Sequence, residues 1–235
     1  MSAVFVAGVG TDVGKTHVTA GLVRALRAAG RPAWAIKPLA SGFDLEDWAD
    51  SDPGRLLAAL GRPLRLAELD RICPWRYAAP LAPDMAAARE GRAVELEAMF
   101  DFCRREIAAD PHRLLLIEGV GGVMSPVAPL ATNLDWIRAL GLPVLLVGGS
   151  YLGSISHMLT ALETLKAAGV PVAGRVVSES QAAGTPFDET LDSLARLAGA
   201  PFFPVRRDAD FAAWAPAILR GLGVFDTDPD RMETA

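Results

Sequence analysis

The sequence predicts an α/β fold built on a mostly parallel, twisted sheet with helices on both faces. Short runs rich in Val, Ile and Leu alternate along the chain with longer segments of helical periodicity. These apolar runs are nearly continuous, which is typical of strands buried on both faces of a parallel sheet. The length of 235 residues fits one such domain. We expect it to cover residues 1–225, followed by a polar, frayed tail at 226–235.

Five apolar runs are predicted as strands. Each is short and is separated from the next helical segment by glycine or polar residues. The third run ends at Glu118, and a glycine loop follows it. The predicted strands cover residues 4–8, 32–37, 113–119, 143–147 and 171–178.

Six segments are predicted as helices. Gly30 and Gly169 follow two of them, and glycine is the usual residue after a helix C-terminus. Another begins at Ser51-Asp52-Pro53, where Asp52 is a typical cap and Pro53 a typical first helical residue. The predicted helices cover residues 15–29, 51–60, 94–109, 155–168, 186–197 and 209–219.

The composition argues against several classes of partner. The formal net charge is −5 and no basic block occurs, so neither nucleic acid nor an anionic membrane surface is expected as a partner. Residues 139–162 lack charge, but Pro143 and the glycines after it favour a strand, a loop and a helix over a membrane span. Cys73 and Cys103 fit no metal or disulfide pattern, which is typical of reduced thiols in a cytoplasmic protein.

A glycine-rich loop, GVGTDVGKTH, lies between the first strand and the first helix. The amides of such a loop surround phosphate oxygens, and the helix N-terminus adds positive partial charge. Lys15 suits the β- and γ-phosphates, and the Thr16 hydroxyl suits Mg²⁺. Five residues separate Gly8 from Gly14, one more than the common motif has, and a glycine turn before a helix is the alternative. The residues expected to contact the nucleotide here are Gly10, Thr11, Asp12, Val13, Gly14, Lys15, Thr16 and His17.

Two further strand ends carry polar groups. Lys37 and Ser41 follow the second strand and can offer a cation and a hydroxyl to an anion, although an exposed lysine in a turn would have the same sequence. Glu118, at the end of the third strand, can hold Mg²⁺ directly or through water. The amides of residues 119–123 can bind a carboxylate or phosphate. The alternative for Glu118 is a solvated residue beside a tight turn.

Four segments together resemble the dethiobiotin synthetase family: GVGTDVGKT, KPLASG, PWRYAAPLAPDMAAAREGR and EGVGG. The resemblance spans residues 4–178, and VGGSYLGSISH is also similar to a glycine-rich region of that family. It implies a P-loop-type fold and a ligase of biotin biosynthesis. Such a ligase uses Mg-ATP and CO₂, or bicarbonate as its source, to close a ureido ring on 7,8-diaminononanoate. The products are dethiobiotin, ADP and phosphate.

The resemblance also implies roles for individual residues. Lys15 and Lys37 would be catalytic, and Thr16, Asp52 and Glu118 would bind the metal. Glu118 and Ser178 would complete the nucleotide site. The family works as a homodimer with substrate sites near the interface, so a homodimer is expected. The residues implied in substrate binding are Lys37, Ser41, Gly121, Gly122, Tyr151 and Ser156.

Several positions depart from the family pattern. Tyr151 stands where lysine is common, and Ser178-Glu179 replaces the Asn-Asp pair whose asparagine reads the adenine edge in the family. The family has a further nucleotide loop with the motif GE-[IL]-P, and Phe203-Pro204-Val205-Arg206 occupies its place here. The triphosphate-binding residues are retained. The sequence therefore supports the hypothesis that the chain discriminates poorly among nucleoside triphosphates, or prefers one other than ATP.

Three other functions are compatible with a phosphate loop of this kind. One is a ParA/MinD-like ATPase switch, although its signature lysine is replaced here by Gly10. A second is another P-loop amide ligase, although no glutaminase-like cysteine context is present. The third is a regulatory module that binds nucleotide without turnover. Retention of Lys15, Thr16, Lys37 and Glu118 together favours an enzyme.

Overall fold

The protein, described from a computed structural model over residues 1–181 and 185–225, is built on a sheet of six parallel strands. The strand order is β10-β9-β8-β1-β5-β2. Two small two-stranded sheets, β3-β4 and β6-β7, accompany it. The strands are β1 (Ala3–Gly8), β2 (Ala33–Ile36), β3 (Leu39–Ser41), β4 (Trp75–Tyr77), β5 (Leu114–Gly122), β6 (Pro126–Ala128), β7 (Ala131–Thr132), β8 (Val144–Gly149), β9 (Val172–Ser178) and β10 (Phe203–Val205).

Helices cover both faces of the main sheet. Helices α1, α2 and α9 pack as one group, with α1 in contact with both others, and α5 to α8 form the other layer. The helices are α1 (Lys15–Ala28), α2 (Asp52–Leu60), α3 (Leu66–Ile72), α4 (Pro83–Arg89), α5 (Leu96–Ala109), α6 (Asn133–Leu140), α7 (Ser154–Ala167), α8 (Phe187–Ala198) and α9 (Phe211–Gly221). The predicted α/β fold with a parallel sheet is confirmed.

The core lies on both sides of the central strands. Every residue of β1 and β8 is buried, as the continuous apolar runs predict. On one face Phe5 meets Trp136 of α6 edge to face, with ring centroids 5.1 Å apart. Leu22 and Leu26 of α1 are also fully buried. Burial of each such side chain contributes about 1.5–3 kcal/mol, and this packing fixes the strand ends that form the cleft.

The structure differs from the sequence-based expectations at three places that concern the cleft. Strand β5 continues through Gly122, which pairs with Gly8, so the predicted loop after Glu118 belongs to the strand, with an irregular register between Val6 and Gly8. The cap of α2 is Ser51, whose hydroxyl accepts from the Gly54 amide, and Asp52 is the first helical residue. A sixth strand, β10, was not predicted, because it is three residues long and contains a proline.

The uncharged stretch 139–162 is divided among the end of α6, strand β8 and the first part of α7. Within residues 1–181 and 185–225, no helix is long and apolar enough to cross a membrane. The tail expected at 226–235 lies outside the described residues, and the single-domain boundary stays a prediction.

Candidate active site

A cleft of about 920 Å³ opens at the carboxyl ends of the parallel strands. This is where ligands bind in open α/β sheets, because the loops that follow the strands converge there. Twelve of the sequence-predicted site residues line it: Thr11, Asp12, Val13, Gly14, Lys15, Thr16, His17, Lys37, Ser41, Asp52, Gly121 and Ser178. The structure therefore brings segments from four distant parts of the chain to one site.

The glycine-rich loop has a backbone that requires glycine at its end. Gly14 has a φ of 91°, in the left-handed region. A Cβ atom at Gly14 would lie 2.8 Å from the Cβ atom of Ser178, at the end of β9. Gly14 precedes α1 without any side-chain cap, so the first amides of the helix donate no hydrogen bond to a capping side chain. Such amides are suited to a phosphate group.

Lys15 is folded against the backbone of the loop. Its Nζ donates to the carbonyl of Gly10 at 2.8 Å and to the carbonyl of Gly121 at 3.0 Å. Burial, and then the nearby positive charge of Lys37, lower the pKa of Lys15 to about 8. An ammonium has three donors, and these two carbonyls use two of them. The remaining donor and the positive charge suit a phosphate oxygen.

Lys37 joins the two acidic residues of the site. Its Nζ lies 2.6 Å from Asp52 Oδ2 and 2.7 Å from Glu118 Oε1. The same Glu118 oxygen accepts a hydrogen bond from Thr16 Oγ1 at 2.6 Å. The register of β1 against β5, which pairs Val6 with Glu118, places this carboxylate beneath the phosphate loop. One connected network therefore links the loop, the end of β2, the start of α2 and β5.

The charges in this network stabilise one another. Glu118 is fully buried, and Lys37 is 4% exposed. Burial alone would lower the pKa of Lys37, but the Glu118 and Asp52 carboxylates raise it well above its usual value. Burial opposes ionisation of Asp52, yet Lys37 lowers the pKa of that carboxyl to about 2. Lys37 is thus a permanent cation at the floor of the cleft. The alternative that Glu118 is a solvated residue beside a tight turn is wrong, because its side chain is fully buried.

The donor set fits a magnesium ion. Glu118 Oε2 is buried and has no hydrogen-bond partner among the residues that the structure describes. The Thr16 hydroxyl and the Asp52 carboxylate lie beside that carboxylate, so three hard oxygen ligands face one region. Across residues 1–181 and 185–225, no group of three or more His, Cys, Asp and Glu side chains could hold a metal. Mg²⁺ does not need one, because it usually combines one or two carboxylates with phosphate oxygens and water.

The other end of the cleft is less charged and is built on a small accessory sheet. Strand β3 pairs in parallel with β4, and this pairing positions Ser41 at the edge of the cleft beside the segment after β4. A hydroxyl and backbone groups among apolar side chains suit a flexible substrate with a long methylene chain. The residues that line this end are Ser41, Pro80, Leu81, Ala82, Pro83, Val120, Gly121 and Ser125.

Gly10 and Gly122 do not line the cleft. The Gly10 carbonyl points to Lys15, as described above. The Gly122 amide donates to Ser125 Oγ at 2.7 Å, so it is engaged within the protein. Gly121 is thus the glycine of the predicted pair that faces the cleft. The role assigned to Gly122 stays a prediction that would require Ser125 to release this amide.

Tyr151 and Ser156 also lie outside the cleft. They lie around the start of α7, where the Tyr151 hydroxyl is 2.8 Å from His157 Nδ1. Leu152, between them, is 85% exposed. Within this chain, the two residues therefore contribute nothing to the cavity, and their role in substrate binding remains a prediction.

His17 lies on the first turn of α1, in the cleft wall. Its ring stands 5.6 Å from that of Trp214 in α9. Burial, and then the positive charges of Arg24 and Arg207, lower its pKa below the usual value. A neutral imidazole is therefore expected beside the phosphate loop at neutral pH.

Several residues of the cleft carry no recognisable signal in the sequence. Arg55 lies one turn after Asp52 on α2, and Arg207 lies after β10. Glu179 and Gln181 complete the wall formed by the ends of β9 and β10. Isolated polar residues carry no periodic pattern, so only the three-dimensional arrangement identifies them as part of the cleft.

The chain matches a known protein family and resembles named relatives over most of its length. The family model described as AAA domain matches residues 2–205. A Methylobacterium nodulans protein named ATP-dependent dethiobiotin synthetase BioD is 52% identical over 217 residues, 91% of this chain and 96% of that protein. The protein of the same name from Acidiphilium cryptum is 46% identical over 225 residues, 94% of this chain and all of that protein. Both alignments thus cover more than nine tenths of this chain and of the relative.

Solved structures show the same architecture at low sequence identity. A ParA family ATPase from Chlorobium tepidum has a TM-score of 0.53 at 18% identity, covering 95% of this chain and 92% of that one. A chain of the MinC:MinD cell division complex from Aquifex aeolicus has a TM-score of 0.54 at 11% identity, covering 93% and 86%. At such identities the likeness shows the fold alone, which is the P-loop type predicted from the sequence.

Proposed function

The chain belongs to the family of ATP-dependent dethiobiotin synthetases, and we propose that the cleft around Lys15, Lys37 and Glu118 is its active site. The family is that of a ligase of biotin biosynthesis that uses ATP. The observation that carries the assignment of the site is the position of Lys37. Its ammonium is tied to the carboxylates beside the phosphate loop, and it lines the same cavity as Ser41 at the substrate end.

The reaction forms two C–N bonds at the expense of one phosphoanhydride bond. One amine of 7,8-diaminononanoate attacks CO₂ and, after losing a proton, becomes a carbamate. A carbamate oxygen attacks the γ-phosphorus, and the nucleoside diphosphate leaves. The second amine then attacks the carbonyl carbon of the mixed anhydride, and phosphate leaves as the ureido ring closes. The carbamate oxygen and the transferred phosphate both carry negative charge. Positioning these groups and neutralising their charge are therefore the main tasks of the protein.

Lys15 and Lys37 are placed for those tasks. Lys15 keeps one donor after its two loop carbonyls, beside the uncapped start of α1, and it would neutralise the β- and γ-phosphate oxygens. Lys37 keeps one donor after Asp52 and Glu118 and would bridge the γ-phosphate and the carbamate oxygen. Because both ammonium groups are held by fixed partners, they need little reorganisation when charge develops.

We propose that Thr16, Asp52 and Glu118 hold Mg²⁺ when the nucleotide is bound. The unpartnered Glu118 Oε2 and the adjacent Thr16 hydroxyl support this assignment. A bound Mg²⁺ would withdraw charge from the β- and γ-phosphate oxygens. The carboxylates also keep Lys37 protonated and orient it, so they serve the lysine as well as the metal.

A regulatory module without turnover, or another P-loop amide ligase, is not favoured. The chain covers nearly the whole length of relatives named for the synthetase. In addition, Lys37, Glu118 and Thr16 form one connected network, and a protein that only binds nucleotide has no use for a second lysine at that position.

We further propose that the chain acts as a homodimer in the cytoplasm. Tyr151 and Ser156 lie outside their own cleft, and the adjoining Leu152 is highly exposed. A dimer that brings the start of one α7 to the other subunit's cleft would give these two residues access to substrate. Sedimentation of wild type and of Leu152→Glu tests this arrangement. A monomeric wild type would contradict it, and so would a charged variant that dimerises and turns over normally.

The proposed function is tested by growth. A bacterial strain that lacks its own dethiobiotin synthetase should grow without biotin when it expresses this chain, and should fail to grow when it expresses Lys37→Ala. Dethiobiotin added to the medium should restore growth in every strain, which shows that the block lies at this step. Failure of the well-expressed wild-type chain to support growth, with dethiobiotin still effective, would contradict the proposal.

A further inference from the structure

One wall of the cleft is formed by the ends of β9 and β10. Ser178 pairs with Val205, and the Glu179 amide donates to the Val205 carbonyl at 2.8 Å. The Glu179 carboxylate in turn accepts the backbone N–H of Arg207 at 3.1 Å. These bonds fix the backbone of Arg207 at the rim. Arg207 lines the cleft together with Ser178 and Glu179.

Arg207 differs from its neighbour Arg206. The Arg206 guanidinium pairs with Asp188 and packs over the Phe187 ring, away from the cleft. Within residues 1–181 and 185–225, the Arg207 guanidinium has no ion pair and no side-chain hydrogen bond. It is nevertheless close enough to His17 to lower the pKa of that imidazole. A planar cation therefore remains available on the side of the cleft opposite the substrate end.

The chemistry of this wall favours contact with the face of a base rather than with its edge. A guanidinium stacks on aromatic faces, whereas an ammonium is a compact point charge. Lys15, Lys37 and the start of α1 are already placed to bind the phosphates. Ser178 is buried against Gly14, so its short side chain extends little into the cavity. A base held mainly through its face is bound irrespective of its identity, because every base has a π-face.

We propose that Arg207 holds the nucleobase by stacking its guanidinium against the base, and that the cleft therefore accepts purine and pyrimidine triphosphates alike. This inference rests on the proposed function only in taking a nucleoside triphosphate as co-substrate. In this proposal Arg207 takes the place of a residue that recognises the edge of the base, and Arg206 does not contact the nucleotide.

Three variants test the proposal: Arg207→Ala, Arg207→Lys and, as matched control, Arg206→Ala. Calorimetry with Mg²⁺ measures the Kd of ATP, GTP, CTP, UTP and inorganic tripolyphosphate. Wild type should bind the four nucleotides within about fivefold of one another. Both Arg207 variants should weaken all four roughly tenfold, the scale of one base–aromatic stack. Tripolyphosphate should change less than about twofold, since it carries no base. Arg206→Ala should match wild type.

Each alternative has a distinct outcome. Wild-type affinity in Arg207→Lys would mean that charge rather than the guanidinium plane matters, and would overturn stacking. Equal loss of nucleotide and tripolyphosphate affinity in Arg207→Ala would overturn it too, since the contact would then be to phosphate. Strict selection of ATP by wild type would overturn base tolerance. The binding pattern described above in a protein that forms no dethiobiotin would support the inference and contradict only the proposed function.

Discussion

The ammonium of Lys37, directly after β2, lies 2.7 Å from the carboxylate of Glu118 in β5, and both residues have almost no exposure to solvent. A buried charge pair of this kind is costly to break, because the remaining charge is left without a partner. The same pair is joined to the phosphate loop through Thr16. Nucleotide binding, metal binding and the second lysine are therefore parts of one structural unit.

Lys37→Ala should abolish turnover and largely spare nucleotide binding. The variant removes the cation proposed to bridge the γ-phosphate and the carbamate, whereas the loop and Lys15 remain. We expect kcat to fall roughly 10³-fold and the nucleotide Kd to change less than about threefold, as measured by steady-state kinetics and calorimetry. The unpaired Glu118 should also reduce the free energy of unfolding by about 3–5 kcal/mol. Lys166→Ala, at an exposed lysine paired with Glu163, is the control. Wild-type turnover in Lys37→Ala would refute its catalytic role.

Lys15→Ala should damage both nucleotide binding and turnover. Lys15 is the lysine of the phosphate loop, and its ammonium also ties the loop to Gly121 of β5. We expect the Kd for nucleotide to rise at least tenfold, on the order of one charge-assisted contact, with dethiobiotin formation lost. Calorimetry beside a product assay separates the two effects. Unchanged nucleotide affinity would show that Lys15 does not contact phosphate.

Gly14→Ala should disrupt the phosphate loop through a clash, and Gly30→Ala is its matched control. Both glycines have positive φ, 91° and 64°. A Cβ atom at Gly14 meets the side chain of Ser178, whereas none of the described residues lies within 4 Å of a Cβ atom at Gly30. Backbone strain alone costs about 1–2 kcal/mol, so both variants should lose that much stability in denaturant unfolding. Only Gly14→Ala should lose nucleotide binding. Equal binding by the two variants would contradict the geometry of the loop.

Glu118→Gln should weaken Mg²⁺ without preventing folding, because the amide retains the shape of the carboxylate. We expect the concentration of Mg²⁺ that gives half-maximal turnover to rise at least tenfold, as loss of a metal-binding group does. Binding of Mn²⁺ in the presence of nucleotide, followed by electron paramagnetic resonance, gives a readout independent of turnover. The exposed Glu163→Gln is the control. The same Mg²⁺ and Mn²⁺ affinities in both variants would remove Glu118 from the metal site.

Neither thiol should react while the protein is folded. Cys73 and Cys103 are fully buried, and burial raises the pKa of each to about 12. The reactive thiolate is therefore scarce at pH 8. A disulfide reagent should label no cysteine in native protein and both in denaturant. Rapid labelling of either cysteine in the folded state would contradict the packing around it.

Local sequence signals predict the parts of the site that lie within one loop or at one strand end. The glycine-rich loop, Lys37 and Glu118 could be identified because each directly follows or ends an apolar run, and parallel strands bring such positions to one edge. The six predicted helices agree with α1, α2, α5, α7, α8 and α9 to within about two residues of each end, since amphipathic periodicity and glycine caps mark them. The short helices α3, α4 and α6 are not among those predicted.

What the sequence did not reveal depends on contacts between distant segments. The local pattern at Asp52 predicts a helix cap, and only its ion pair with Lys37, which comes from another part of the chain, shows that this carboxylate belongs to the site. The position of Arg207 also has no local signature, because its backbone N–H is held by the Glu179 carboxylate, 28 residues earlier in the chain. Short strands such as β10 lack enough residues to show a period, so tertiary packing alone determines them.

Product formation by the purified chain tests the proposed activity most directly. The protein is mixed with 7,8-diaminononanoate, ¹³C-bicarbonate and Mg-ATP, and dethiobiotin is detected by mass spectrometry while ADP and phosphate are counted. We expect dethiobiotin with the label in its ureido carbon, one ADP and one phosphate per molecule formed, and no dethiobiotin when diamine or nucleotide is omitted. Folded protein that binds Mg-ATP but forms no labelled dethiobiotin would contradict the proposed activity.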